Sequence, residues 1–268
     1  MQNKYFGKII DTHAHVYPDK IAQKAVRAIG DFYNIPMAKG GHVYGLLESG
    51  GKIGVGHYVI HSLATTVHQV ESINNFILST ASGNPAFIPF ATLHPDMDEA
   101  DMQKEVDRVL SLGAKGLKLH PDFQKFYADD ESVLKIYRSC SGKLPILFHA
   151  GDNRYDYSSP KRIANVARLF PNLTVISAHF GGYHRWDEVD VYEGLDNVYY
   201  DTCSAMFMLS PERATEIMRK LGVDRFFFAS DYPMWDHEEE LENIMRLDLT
   251  EEEREMVLYK NAERVLKI

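Results

Sequence analysis

The chain has 268 residues, 45% of them hydrophobic, and a formal net charge of −9. Such a length supports one large core, no apolar run reaches the roughly 18 residues a membrane span needs, and the acidic balance argues against nucleic acid, whose binders carry a basic footprint. Cys140 and Cys203 are the only cysteines, too few for a disulfide framework and in keeping with a reducing cytoplasm, and the start "MQNKYFGKII" lacks the long apolar stretch of a secretory signal.

In chain order, the first strand signal is "GKIIDTHAH" (7–15), an apolar pair followed by alternating polar residues. After the first helix comes an irregular, glycine-rich stretch, 34–56, read as a loop insertion that either lies over the mouth of the fold as a lid or is mobile surface. Further strand signals are 55–63, 86–94, 114–121, 144–151, 173–180, 197–203 and 225–233. Each is a short apolar run bounded by turn residues. Between them lie helical patterns. Over 98–112, Met102, Val106, Val109 and Leu110 share a face and Gly113 closes the segment. Ser159 and Ser210 stand as N-caps, each followed by proline at the first helical position. "TEEE" at 250–253 reads as a capping box, and the acidic run 236–242 as a solvated helix start.

Strands alternating with helices, eight times over, predict an α/β fold: a single (β/α)₈ TIM barrel spanning 1–268, with an open doubly wound sheet as the rival. In a barrel, polar residues at the C-terminal strand ends form the active site. His13 and His15 are two apart on the first strand and therefore share a face. Alone, that pair is weak evidence for a metal. The same event recurs at His120 on the fourth strand (with Lys118 two residues earlier), at His149 on the fifth, at His179 on the sixth and at Asp231 on the eighth. Imidazoles plus a carboxylate are what zinc or a similar divalent ion requires. Asp11, two residues before His13, is assigned the same face and a role in orienting a ligand. Arg154, after the fifth strand, could recognise an anionic group of a substrate, or simply be a solvated surface residue. Tyr17, His61 and His94 fall at or just beyond strand ends, whereas His42, His57, His68, His184 and His237 sit in loops, helices or strand interiors.

"DTHAH", "GLKLHP", "LFHAGD", "SAHFGG", "ASDYP" and "NAERVL", in that order from residue 11 to 266, resemble the amidohydrolase superfamily. The likeness is greatest to its amidohydrolase-2 branch, which includes aminocarboxymuconate-semialdehyde decarboxylase. The resemblance implies a (β/α)₈ barrel with a divalent ion at the C-terminal mouth, held by His13, His15, His149 and Asp231, and a role for His179 either in orienting a ligand or in catalysis. Zinc is the first expectation for the ion, with manganese and iron as alternatives. A second metal bridged by a carbamylated Lys118, seen in other branches, ranks below a single ion. The branch is often dimeric, so a homodimer is compatible with the resemblance.

A bound ion lowers the pKa of its water from about 16 to about 7, and Asp231 or His179 can accept the proton. The first expectation for function is therefore hydrolysis of a C–N or C–O bond in a small, anionic molecule: an amide, lactone or ester. The alternative is non-oxidative decarboxylation of a small unsaturated carboxylic acid.

Overall fold

The computed structural model describes residues 4–268. In chain order the elements are β1 (Ile9–His15), α1 (Asp19–Tyr33), α2 (Val43–Ile53), β2 (Val55–His61), α3 (Val70–Ser82), β3 (Phe87–Ala91), α4 (Glu99–Ser111), β4 (Gly116–Leu119) and the short α5 (Pro121–Gln124). There follow α6 (Leu134–Cys140), β5 (Ile146–Phe148), α7 (Pro160–Leu169), β6 (Val175–Ser177), β7 (Val198–Asp201), α8 (Pro211–Leu221), β8 (Phe226–Phe227), α9 (His237–Met245), α10 (Glu251–Glu255) and α11 (Asn261–Leu266). The eight strands form one sheet in the order β1 to β8, and the fold is a single (β/α)₈ barrel, as the alternation of strand and helix signals predicts. No helix of the described residues is long and apolar enough to cross a membrane.

The chain divides into two compact units. The first contains the described residues up to His61, Asn84–Ile88 and Thr202–Ile268. Within it β1 pairs in parallel with β2, and the Thr12 amide donates to the Phe228 carbonyl beyond β8. β1 is thus hydrogen-bonded on both sides. Ile9, Ile10, Ala14, Val59, Ile60 and Phe226–Ala229 are buried, the apolar content expected of strands covered on both faces.

Two details of this unit depart from the sequence reading. First, the glycine-rich stretch 34–56 is not loop throughout: Val43–Ile53 is helical. Glycine weakens a helix interior by about 1 kcal/mol relative to alanine, which is why the pattern reads as a loop. Here the glycine answers a packing need, because a Cβ on Gly50 would lie 2.3 Å from the Tyr58 hydroxyl. Gly54, with φ 77°, then ends the helix in the left-handed conformation. Second, the β1–β2 register shifts between Asp11 and Ala14: Asp11 is opposite Tyr58, but Ala14 is opposite Ile60 and His15 opposite His61. The irregularity breaks the strict alternation of faces. Asp11 therefore does not share the face of His13. It lies with Tyr58 on the side of α2 and α9.

The second unit contains Ser62–Gly83 and Pro89–Asp201. Its strands run in register from β4 to β7, with Leu117 opposite Ile146, Ile146 opposite Val175 and Val175 opposite Val198. Val106 and Val109 of α4 are buried, matching the stripe read from the sequence, while Leu110 is half-buried; Ile163 and Ala167 of α7 are buried as well. At α7, Ser159 occupies the N-cap position but makes no capping bond, whereas in the first unit Ser210 accepts from the Arg213 amide. The capping box of Thr250 and Glu253 is formed.

Candidate active site

In the first unit, β1 and the turn after β8 bring three donor atoms together. His13 Nε2 and His15 Nε2 are 3.2 Å apart. Asp231 Oδ1 is 3.4 Å from the first and 3.5 Å from the second. Ligand atoms held about 2.1 Å from one tetrahedral ion lie about 3.4 Å from each other, so this trio fits a divalent cation. His13 is fully buried, while the His15 side chain retains 13% exposure and gives the cluster an open side.

The surroundings fix these atoms. Asp231 uses its other oxygen, Oδ2, to accept a 2.5 Å hydrogen bond from the Ser204 hydroxyl, and Trp235 Nε1 donates to Ser204 Oγ at 2.8 Å. Such partners orient a ligating carboxylate. Cys203 Sγ lies 3.6 Å from His13 Nδ1, the ring nitrogen turned away from the trio. Below the trio, the Asp11 carboxylate accepts from the backbone amides of His13 (3.1 Å) and Ser230 (3.0 Å) and from the Ser230 hydroxyl (2.6 Å). One carboxylate thereby ties the strand bearing His13 and His15 to the turn bearing Asp231. His237, the first residue of α9, places Nε2 2.9 Å from Asp11 Oδ2 and Nδ1 2.8 Å from Ser49 of α2. Burial and the nearby Asp231 charge push the Tyr17 phenol well up, so it stays protonated.

In the second unit, histidines from three strand ends meet. His120 and His149 stack with ring centroids 3.9 Å apart and planes within 5°. His149 Nδ1 and His179 Nε2 are 3.0 Å apart and share a hydrogen bond. The His120 ring is fixed further by the Phe123 amide, which donates to its Nδ1. His179 is placed by its backbone amide, which donates to Asp201 at 2.7 Å, and by its carbonyl, which accepts from Trp186. Asp122 Oδ2 accepts from Ser158 and lies 4.0 Å from His149 Nε2. Burial, reinforced by the Asp152 charge, pushes the Asp122 carboxyl up to about 7. Lys118 is fully buried on β4. Arg154 is engaged by buried Asp152, through Nε at 2.9 Å and Nη2 at 2.7 Å, so that edge of the guanidinium already holds a carboxylate.

Four residues at these strand ends adopt positive φ without being glycine: His179 (61°), Phe180 (55°), Ser204 (54°) and Asp231 (54°). Each such residue is strained, and strain of this kind concentrates where side chains are aimed for chemistry. Of the residues picked out by sequence, His13, His15 and Asp231 come together in one unit, and His120, His149 and His179 in the other. Sequence reasoning passed over His237, Ser204, Trp235, Asp122 and Asp201. His237 was set aside as a helix residue. "DYPMW" and "YYDTC" hold two of the others, Trp235 and Asp201, with nothing in their spacing to mark them.

A family model described as amidohydrolase matches residues 10–268. Decarboxylase orsB of Emericella nidulans is 28% identical over 236 residues, covering 68% of this chain and 70% of that protein. The 5-carboxyvanillate decarboxylase LigW of Sphingomonas paucimobilis superposes with a TM-score of 0.75 at 17% identity, covering 98% of this chain and 99% of that one. A dihydroxybenzoic acid decarboxylase of Polaromonas sp. JS666, with bound manganese and the inhibitor 2-nitroresorcinol, gives 0.76 at 14% identity, covering 98% and 97%. These findings correct the first functional expectation: the relatives just named are decarboxylases, and hydrolysis is set aside. The physical reason is that histidines and an aspartate around a cation serve equally to activate water or to bind a carboxylate, so the ligand pattern could not separate the two. With the match running over 10–268, the chain belongs to the amidohydrolase family.

Proposed function

We propose that the protein is a metal-dependent, non-oxidative decarboxylase of a small unsaturated or hydroxylated aromatic carboxylic acid. The observation that carries the reading is the convergence of His13 Nε2, His15 Nε2 and Asp231 Oδ1 within 3.2–3.5 Å. Decarboxylases among its relatives support the reaction class. Manganese is the ion to test first, since one related structure holds it.

A divalent ion held by His13, His15 and Asp231 would supply positive charge that favours binding of an acid's carboxylate. The chain's own residues manage the proton. Decarboxylation adds a proton to the carbon bearing the carboxylate and then breaks the C–C bond. The electron pair of that bond returns to the unsaturated system and carbon dioxide leaves, so that RCOO⁻ and H⁺ become RH and CO₂. Asp231 is suited to carrying the proton, because Ser204 and Trp235 hold its carboxylate in one orientation. His179 is the second carrier, since its Nε2 exchanges a hydrogen bond with His149. The His120–His149 stack presents flat aromatic rings of the kind a planar acid can pack on.

The test is direct. Protein loaded with manganese or zinc is incubated with hydroxybenzoates, carboxyvanillate-type acids and unsaturated dicarboxylates, and carbon dioxide and the decarboxylated product are quantified. Stoichiometric release of both from at least one acid is expected. Metal-loaded protein that turns over none of these acids would count against the reading.

A further inference from the structure

His61 ends β2, is fully buried, and has no part in the ligand set above. It is the register partner of His15 in the parallel β1–β2 ladder. Partners on neighbouring strands project to the same face, their backbones about 4.8 Å apart. The register therefore sets the two imidazoles side by side. The His61 ring centroid lies 4.4 Å from that of His15 and 4.9 Å from that of His13, edge-on to both at 87° and 64°. One ring nitrogen from each of the three histidines lies within 4.8 Å of the other two.

We propose that His61 is a ligand of the same divalent ion as His13, His15 and Asp231, so that β1, β2 and the turn after β8 supply three imidazoles and one carboxylate from a single compact unit. The inference rests on the metal reading given above. Imidazole is the commonest metal-binding side chain, and the three rings bring one nitrogen each into the same small space. Ligands of one tetrahedral ion lie roughly 3.4 Å apart, inside the 4.8 Å limit within which these nitrogens fall. A set of three imidazoles and one carboxylate favours zinc, manganese, iron or cobalt over magnesium and calcium, which prefer all-oxygen sites.

Cobalt(II) serves as the probe, since its visible absorption reports the ligands around it. Wild type, His61→Ala, His61→Cys and the exposed same-strand control His57→Ala are titrated with cobalt, with melting curves recorded for each. The expected result has two parts. His61→Ala binds cobalt at least tenfold more weakly than wild type and His57→Ala. His61→Cys gains a thiolate-to-cobalt charge-transfer band in the near ultraviolet that wild type, with its own Cys203, lacks. The cysteine variant gives a signal by gain, so a loss of stability in the alanine variant does not decide the matter. If His61→Ala binds within twofold of wild type and His61→Cys shows no new band, His61 is not a ligand, although the metal site stands. If wild type itself binds no cobalt, manganese or zinc, the metal reading fails and the His61 proposal fails with it.

Discussion

The two histidine clusters use the same side chain for different ends. In the first unit His13 and His15 point their Nε2 atoms at each other and at a carboxylate, three electron-pair donors with a cation's spacing. In the second unit His149 and His179 face nitrogen to nitrogen in a hydrogen bond, and His120 lies flat on His149. The first arrangement suits an ion. The second suits proton exchange and a stacked wall. The difference teaches that histidine count says little and the direction of each ring nitrogen says much. The ring nitrogens turned from the trio or the stack meet neighbours such as Cys203, beside His13 Nδ1, and the Phe123 amide, which donates to His120 Nδ1.

The comparison breaks most visibly if the ion is removed. Dialysis against a chelator, or His13→Ala, should lower decarboxylation by about a thousandfold or more, well above the 10–100-fold typical of losing an outer partner. Added manganese should restore the dialysed wild type but not the variant, as measured by carbon dioxide release. His179→Gln tests the other cluster. Loss of a proton carrier should reduce kcat by about 10²–10⁴-fold while the metal content stays at wild-type level by elemental analysis; a lost metal would merge the two clusters into one role. Ser204→Ala should weaken metal affinity or kcat about 10–100-fold, because Asp231 Oδ2 loses the bond that orients it.

A smaller effect sharpens the picture away from the chemistry. Glu240 of α9 is buried, its Oε2 has no hydrogen-bond partner among the described residues, and burial raises its pKa well above the usual range. In the unfolded chain it ionises near pH 4.5, so the folded state binds one more proton above that value and stability falls as pH rises. Glu240→Gln removes this cost. The variant should melt higher than wild type at pH 7, by about 2–4 °C for each kcal/mol recovered, and the gain should shrink toward pH 4. Scanning calorimetry at both pH values checks it.

Much of the barrel was legible in the sequence, for a physical reason. Strands covered on both faces must be apolar, so each of the eight leaves a short run such as "PILF" or "RFFFA". The polar residue that ends the run is then the one at the barrel mouth, which is how His13, His15, His149, His179 and Asp231 could be named. What could not be read is whatever depends on register or on contacts between distant segments. The β1 irregularity turns Asp11 away from the face of His13, and no spacing reveals it. Ser204 and Trp235 reach Asp231 across 27 residues and through a shared hydroxyl, with no motif between them. His237 looked like one more helix residue until its bonds to Asp11 and Ser49 joined it to β1. Helix α2 was hidden by its own glycines, of which Gly50 makes room for Tyr58.

The central claim is that this chain uses a bound divalent ion to release carbon dioxide from a small unsaturated acid. The most direct measurement incubates carboxyl-¹³C-labelled dihydroxybenzoate and related acids with metal-free and manganese-loaded protein and follows labelled carbon dioxide by mass spectrometry. The account predicts labelled carbon dioxide and the matching decarboxylated product from at least one acid, only in the loaded sample, and lost in Asp231→Asn. Equal release with and without metal, or a loaded protein that leaves every acid intact, would contradict it.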